Sequence, residues 1–78
     1  MGKYDGLRDY LRRQNAPSLK LSLNDIDNIV QLPQSAFTRP AWWANEDLSH
    51  VQSNAWYAAG YDAAVDVNKR TVIFTRRT

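Results

Sequence analysis

The end of the chain alternates between apolar and polar side chains, and this alternation constrains the fold more than any other feature. Residues 61–67 place apolar side chains at every second position, which is the period of a strand with one buried face. Residues 71–75 form a second segment rich in β-branched side chains. Because only Asn68-Lys69-Arg70 separates the two segments, we predict that they pair as a β-hairpin.

Two helices and a short strand are predicted in the first part of the chain. Residues 4–14 place Leu7 and Leu11 four apart, which is the spacing of one helical face. Residues 19–23 alternate like a half-buried strand, and residues 24–31 again have a helical period. Ser22 and Asp25 stand at the spacing of a capping box, so we expect the second helix to begin there.

A third helix is predicted immediately before the hairpin. Asp47 and Ser49 are its candidate N-caps, and Gly60 stands where a C-cap glycine belongs. The predicted buried stripe consists of Val51, Ala55, Trp56 and Ala59. The opposite face is predicted to present polar side chains to solvent, namely His50, Gln52, Ser53, Asn54 and Tyr57.

Residues 32–46 are the least regular part of the chain. Pro33 and Pro40 exclude one continuous helix, although residues 34–37 are compatible with a single helical turn. Trp42 and Trp43 are adjacent, so they point in different directions in either a helix or a strand. We therefore expect at least one of the two tryptophans to lie in the core.

The order of elements predicts the fold class. Helix, short strand, helix, irregular segment, helix and β-hairpin make an α+β domain in winged-helix-like order, and the 78 residues form one domain over 1–78. In a winged helix the third helix enters the major groove and the hairpin loop, called the wing, contacts the DNA backbone. The connection from the second to the third predicted helix is long for a helix-turn-helix.

Composition narrows the class of protein further. The chain has no cysteine, no apolar run long enough to cross a membrane, and an N-terminus without the apolar core of a signal peptide, so a cytoplasmic protein is expected.

Charge is unevenly distributed along the chain. Residues 1–23 carry five Lys or Arg against two Asp, residues 24–66 one Arg against six acids, and residues 67–78 four Lys or Arg and no acid. If the two basic ends meet, they form a patch suited to a phosphate backbone.

These features favour a small, non-catalytic nucleic-acid-binding domain whose partner is DNA. The third helix would read base edges and the hairpin would contact phosphates, although that helix carries no Lys or Arg and the middle of the chain is acidic. DNA-binding domains of this size commonly dimerise, so a homodimer is one state open to the chain. The predicted nucleic-acid-binding residues are Arg12, Arg13, Gln52, Ser53, Asn54, Lys69, Arg70, Arg76 and Arg77. Edge-strand protection is an alternative role for the cations of the hairpin.

The alternative hypothesis is a protein-interaction module, such as a phage or mobile-element protein that docks on a bacterial nuclease or defence complex. The acidic middle and the Trp-Trp segment suit this hypothesis, because acidic side chains can occupy a basic channel on a partner. The tryptophans can equally serve as a core plug. The predicted partner-binding residues are Trp42, Trp43, Asn45 and Tyr57.

Neither a catalytic site, a metal site nor a cofactor is predicted. His50 has no Ser, Cys or carboxylate at a spacing typical of a catalytic pair, so we interpret it as a solvated or capping residue. No calcium-loop pattern and no glycine-rich phosphate loop occur. The acids are interpreted as caps and solvated faces; they are Asp25, Asp27, Glu46, Asp47, Asp62 and Asp66.

Several motifs resemble those of a family of small bacterial or phage domains of unknown function. They are Tyr4-Asp5 with Leu7, Ala41-Trp42-Trp43-Ala44-Asn45, Ala55-Trp56 with Ala58-Ala59-Gly60-Tyr61, and the final Val72-Ile73-Phe74-Thr75-Arg76. The resemblance covers nearly the whole chain. Gly6 and Tyr61 depart from the family pattern, which has proline and tryptophan there. The resemblance implies a bacterial or phage origin and carries no assigned activity.

Overall fold

The fold is described from a computed structural model, which describes residues 2–14, 16–45 and 51–77. These residues contain four α-helices, one 3₁₀ turn and three β-strands. In chain order they are α1 (Asp5–Arg13), β1 (Ser18–Ser22), α2 (Leu23–Val30), α3 (Gln34–Thr38), the 3₁₀ turn (Pro40–Trp43), α4 (Val51–Ala58), β2 (Tyr61–Asp66) and β3 (Thr71–Arg76). The predicted N-caps Asp47 and Ser49 and the predicted solvated residue His50 lie outside the described residues.

The three strands form one antiparallel sheet in the order β1-β3-β2. Phe74 in the central strand lies between Leu19 of β1 and Ala63 of β2, and Val72 lies between Leu21 and Val65. These rows face the helices, whereas the alternate rows face away from them. The element order and the C-terminal hairpin confirm the predicted α+β class with winged-helix-like order.

Local sequence signals begin α2 and end α4 as predicted. The amide N–H of Asp25 donates to Ser22 Oγ at 3.0 Å, which caps the first turn of α2. Gly60 follows α4 with a φ of 87°, in the left-handed region that glycine adopts without a steric penalty, and its N–H donates to the carbonyl of Tyr57. The predicted turn at 34–37 is confirmed as α3.

The core is an aromatic cluster between the helices and the inner face of the sheet. Trp43 and Trp56 stack with ring centroids 5.3 Å apart, and Phe74 lies 6.3 Å from Trp56. Leu7 and Leu11 of α1 are fully buried against this cluster, which confirms the predicted inward face of the first helix. Burying such large rings supplies apolar area that a domain of this length otherwise lacks.

The irregular segment is held in place by one of its own tryptophans. Trp43 is buried at the end of the 3₁₀ turn, and its indole Nε1 donates to the carbonyl of Ala36 in α3 at 2.9 Å. Pro40 begins the 3₁₀ turn. The first N–H of a helix has no partner within the helix, so the absence of an N–H in proline costs no hydrogen bond there. The prediction that at least one of the two adjacent tryptophans lies in the core is thereby confirmed.

Arg76 and Arg77 continue the ordered structure beyond the β-branched segment 71–75. The amide N–H of Arg76 donates to the carbonyl of Pro17, and that of Arg77 donates to the carbonyl of Gly60, both at 2.8 Å. The first bond lies at the end of β3, and the second continues the backbone pairing one residue beyond it. Within the described ranges, no helix is long and apolar enough to cross a membrane.

Candidate nucleic-acid interface

Helix α4 is rotated relative to the orientation that the sequence predicted. Gln52 is 8% exposed and Ser53 is 1% exposed, so the prediction that they face solvent and read bases is wrong. Val51 was predicted in the buried stripe but is 61% exposed. The reason is that α4 packs against α1, against β2 and against the 3₁₀ turn that carries Trp42. Gln52 Nε2 donates to the carbonyl of Trp42 at 3.3 Å, which turns this side chain inward.

The solvent-facing side of α4 is uncharged and largely apolar. We call it the α4 face; it consists of Val51, Asn54, Tyr57 and Ala58, which recur at helical spacing and are all exposed. Asn54 is exposed on this face, as its predicted role in reading base edges requires. Within the described ranges, Asn54 makes no hydrogen bond that would occupy its amide.

The N-terminal segment places cations along one side of the α4 face. Lys3 and Arg8 line a shallow groove of about 250 Å³ together with Val51, Asn54 and Ala58. Arg8 is neutralised in part by Asp5 at 3.4 Å and Asp9 at 3.1 Å. Lys3 is exposed, and its ammonium lies 5.7 Å from the centre of the Tyr4 ring.

The C-terminal segment places a second cation against the same helix. The Arg77 guanidinium lies 4.0 Å from the centre of the Tyr57 ring, and its Nη2 donates to the carbonyl of Tyr57 at 2.8 Å. Its Nη1 donates to the carbonyl of Tyr61 and to the carboxylate of Asp62. Arg77 therefore has a fixed position beside the α4 face, with most of its donors occupied.

Arg76 has a structural role at the end of β3. Its Nη2 donates to the carbonyl of Gln14 at 3.0 Å and contacts the Tyr61 hydroxyl at 3.3 Å, while its guanidinium lies 5.4 Å from the centre of the Tyr61 ring. These contacts tie the end of α1 to the start of β2. Arg12 and Arg13 are exposed in the last turn of α1 and, within the described part of the chain, have no ion-pair partner.

The wing, residues 67–70, is a tight turn that carries two cations. Asp66 Oδ1 accepts the amide N–H groups of Asn68 and Lys69 at 3.1 Å each, and this fixes the turn. Lys69 is exposed and, among the described residues, has no acidic partner within salt-bridge distance. Arg70 has a φ of 56°, and its guanidinium lies 5.7 Å from the centre of the Phe37 ring in α3.

The wing and Arg77 lie at opposite ends of the hairpin. Each strand of the hairpin has six residues, so the two ends are about 17 Å apart along the strands. The carbonyl of Arg70 accepts the N–H of Leu23, which ties the wing to the start of α2. The predicted basic residues therefore form two groups, one beside the wing and one beside the ends of α1, α4 and β3.

Trp42 and Trp43 have different environments. Trp43 is 2% exposed, which leaves no ring surface for a partner, so its predicted role in partner binding is wrong. Trp42 is half-buried and makes edge contacts with Tyr4 at 5.7 Å and Trp43 at 4.7 Å. It also lines a shallow groove of about 260 Å³ with the exposed Arg39.

Asn45 serves the fold, so its predicted role in partner binding is also corrected. Its Nδ2 donates to the carbonyl of Ala63 at 2.8 Å, and its Oδ1 accepts the N–H of Ala63 at 2.7 Å. The same Oδ1 accepts the indole N–H of Trp56 at 3.0 Å. Because β2 is an edge strand, the Asn45 amide satisfies backbone groups that a further strand would otherwise pair.

Sequence reasoning missed three residues of the candidate interface. Lys3 and Arg8 were counted only in the charge distribution, and Val51 was assigned to the core. Alternating signs of charge at the N-terminus gave no indication that this segment lies beside α4. Among residues 2–14, 16–45 and 51–77, no group of three or more His, Cys, Asp or Glu side chains is arranged to hold a metal ion.

Comparison with known proteins identifies a family for this chain. The family model described as Domain of unknown function (DUF7662) matches residues 4–78, so the chain belongs to that family. No curated protein and no solved structure matches the chain.

Proposed function

We propose that this family member is a small, non-catalytic nucleic-acid-binding domain that places its α4 face on duplex DNA. The single observation that carries the proposal is the position of both basic chain ends. Lys3 and Arg8 line the groove beside the α4 face, and Arg77 stacks on Tyr57 of the same helix. Residues separated by almost the whole chain thus place positive charge around one exposed helix.

The dimensions and chemistry of this surface suit a duplex. An α-helix with its side chains is about 10–12 Å across, which matches a major groove about 12 Å wide. Cations at the rim would contact phosphates and set the orientation, while the uncharged centre would meet base edges. Lys69 and Arg70 on the wing, together with Arg12 and Arg13, would add contacts to the backbone.

The test is a fluorescence-anisotropy titration of a labelled duplex with the full chain at about 50 and 200 mM salt. Binding that weakens steeply with salt supports the proposal, because each phosphate contact lowers the slope of log K against log salt by about 0.9. We expect Lys3→Ala and Lys69→Ala each to reduce that slope by about one contact, and the pair Lys69→Ala with Arg70→Ala by about two.

A matched control is available on the opposite side of the molecule. Lys20 is exposed on the outer face of the sheet, opposite Ile73, in a row that points away from the helices. Lys20→Ala removes the same charge as Lys3→Ala, so it should leave the slope unchanged if the domain docks in one orientation. Equal losses for all three lysines contradict an oriented interface, and no binding at low salt overturns the proposed function.

Docking on a protein is a second candidate, favoured by the apolar exposure of α4. Val51 is 61% exposed and Tyr57 is 47% exposed, so two large apolar side chains of one short helix face solvent. A bacterial lysate, one half treated with nuclease and the other half untreated, would be passed over the wild-type chain and over Val51→Asp. A protein that is retained by the first and lost with the second supports this candidate, whereas capture that disappears after nuclease treatment supports nucleic-acid binding.

A further inference from the structure

We infer that the α4 face distinguishes A·T from G·C base pairs in the major groove, with Asn54 as the specificity-determining residue. The inference rests on the proposed function, because it concerns the same surface. It follows from which side chains of α4 reach solvent. Gln52 and Ser53 are buried, so they cannot contact a base. What remains at the centre of the face is one amide flanked by apolar groups.

The amide of Asn54 matches adenine. Adenine presents an acceptor, N7, beside a donor, the N6 amino group, and an Asn amide offers one donor and one acceptor in the same plane. Guanine presents two adjacent acceptors, N7 and O6, which are best met by the paired donors of Arg or Lys. Helix α4 itself carries neither residue over Val51–Ala58. The cations that line its groove, Lys3 and Arg8, come from the N-terminal segment and contact phosphates at the rim in the proposed docking.

The apolar neighbours of Asn54 match thymine. Val51 lies three positions before Asn54 and Ala58 lies four positions after it, so the three side chains form one stripe along the helix. The C5-methyl group of thymine is the apolar feature of the major groove, and small aliphatic side chains contact it. Cytosine instead offers an amino donor. The Asp5 carboxylate lines the same groove, but it already accepts the N–H of Gly2 and pairs with Arg8.

The two arginines beside the α4 face are already engaged. Arg8, which lines the groove with Asn54, pairs with the carboxylates of Asp5 and Asp9. Arg77 directs Nη2 to the carbonyl of Tyr57 and Nη1 to the carbonyl of Tyr61 and the carboxylate of Asp62. A bidentate contact to guanine would require it to leave these acceptors and the Tyr57 ring. The positive charge of Arg77 still lies beside the α4 face, where it would attract a phosphate group of the DNA backbone.

The test uses chemically altered duplexes that keep Watson–Crick pairing. Anisotropy titrations of the full chain at low salt would compare an A·T duplex, a G·C duplex of equal length, and two modified A·T duplexes. One carries 7-deazaadenine, which lacks the N7 acceptor, and the other carries uracil, which lacks the thymine methyl group. Asn54→Ala is compared with Asn28→Ala, since Asn28 is exposed on α2 and offers the same amide elsewhere.

We expect the A·T duplex to bind about tenfold more tightly than the G·C duplex, in line with one bidentate contact. The preference should fall with 7-deazaadenine, with uracil and with Asn54→Ala, and persist with Asn28→Ala. Binding of both duplexes with equal affinity, or a preference that survives 7-deazaadenine, overturns the inference and leaves the proposed function standing. Failure to bind any of the duplexes overturns the proposed function itself.

Discussion

Replacing Asn45 by alanine should lower the free energy of unfolding more than removing the polar side chain of Ser22 or Asn28. The Asn45 amide joins three groups by hydrogen bonds of 2.7–3.0 Å: the N–H of Ala63, the carbonyl of Ala63 and the indole N–H of Trp56. Alanine removes all three at once. Trp56 is fully buried, so its N–H would then lack a partner in an apolar environment.

The size of the effect follows from these contacts. Three hydrogen bonds at a net value of about 1 kcal/mol each give a loss of about 3 kcal/mol, and the unpaired indole N–H increases it. Domains are stable by about 0.05–0.15 kcal/mol per residue, so this loss is a large fraction of the total. For a chain of this length, the melting temperature should fall by about 12–24 °C.

Urea unfolding followed by circular dichroism and tryptophan fluorescence measures this loss. Asn45→Asp keeps the acceptor contacts of Oδ1 but sets a second carboxylate oxygen against the Ala63 carbonyl in place of the donating N–H, so it should also destabilise the domain. Asn28→Ala, on the exposed side of α2, should change the free energy of unfolding by less than about 0.5 kcal/mol. A loss below about 1 kcal/mol for Asn45→Ala would refute the role assigned to this amide.

Two further substitutions test the local signals that bound the helices. Ser22→Ala should lower the free energy of unfolding by about 1 kcal/mol, because the N–H of Asp25 loses its cap; a change within error in urea unfolding would contradict this. Gly60→Ala should cost about 1 kcal/mol through backbone strain alone, since φ is 87° and no heavy atom lies within 4 Å of an added Cβ. Its crystal structure should show neighbouring side chains unmoved, and displaced neighbours would indicate a steric cause instead.

The elements that the sequence predicted well are those determined by near neighbours. Ser22 caps α2, Gly60 ends α4, and the alternation in 61–67 and 71–75 becomes the hairpin with its apolar rows facing the helices. Each depends on residues within a few positions of one another, so the pattern is visible in the chain itself. The order of these elements was enough to predict the α+β class and the winged-helix-like arrangement.

The candidate site was predicted less well, and α4 shows why. Apolar residues are spread around this helix with little bias to one side, so its sequence does not indicate which face is buried. Contacts with α1, β2 and Trp42 on several sides then decide that Gln52 and Ser53 turn inward while Val51 turns outward. For this reason, Asn54 is the predicted base-reading residue of α4 that faces solvent, whereas Gln52 and Ser53 do not.

The sequence by itself determined the start of α2, the end of α4, the hairpin and the concentration of positive charge at both ends of the chain, because these are properties of composition and short-range spacing. Only the tertiary structure decided that Lys3 and Arg77 meet at one helix and that Asn45 joins Ala63, eighteen positions away. Those contacts arise from packing between distant segments. Their geometry depends on the whole core, and no local pattern encodes it.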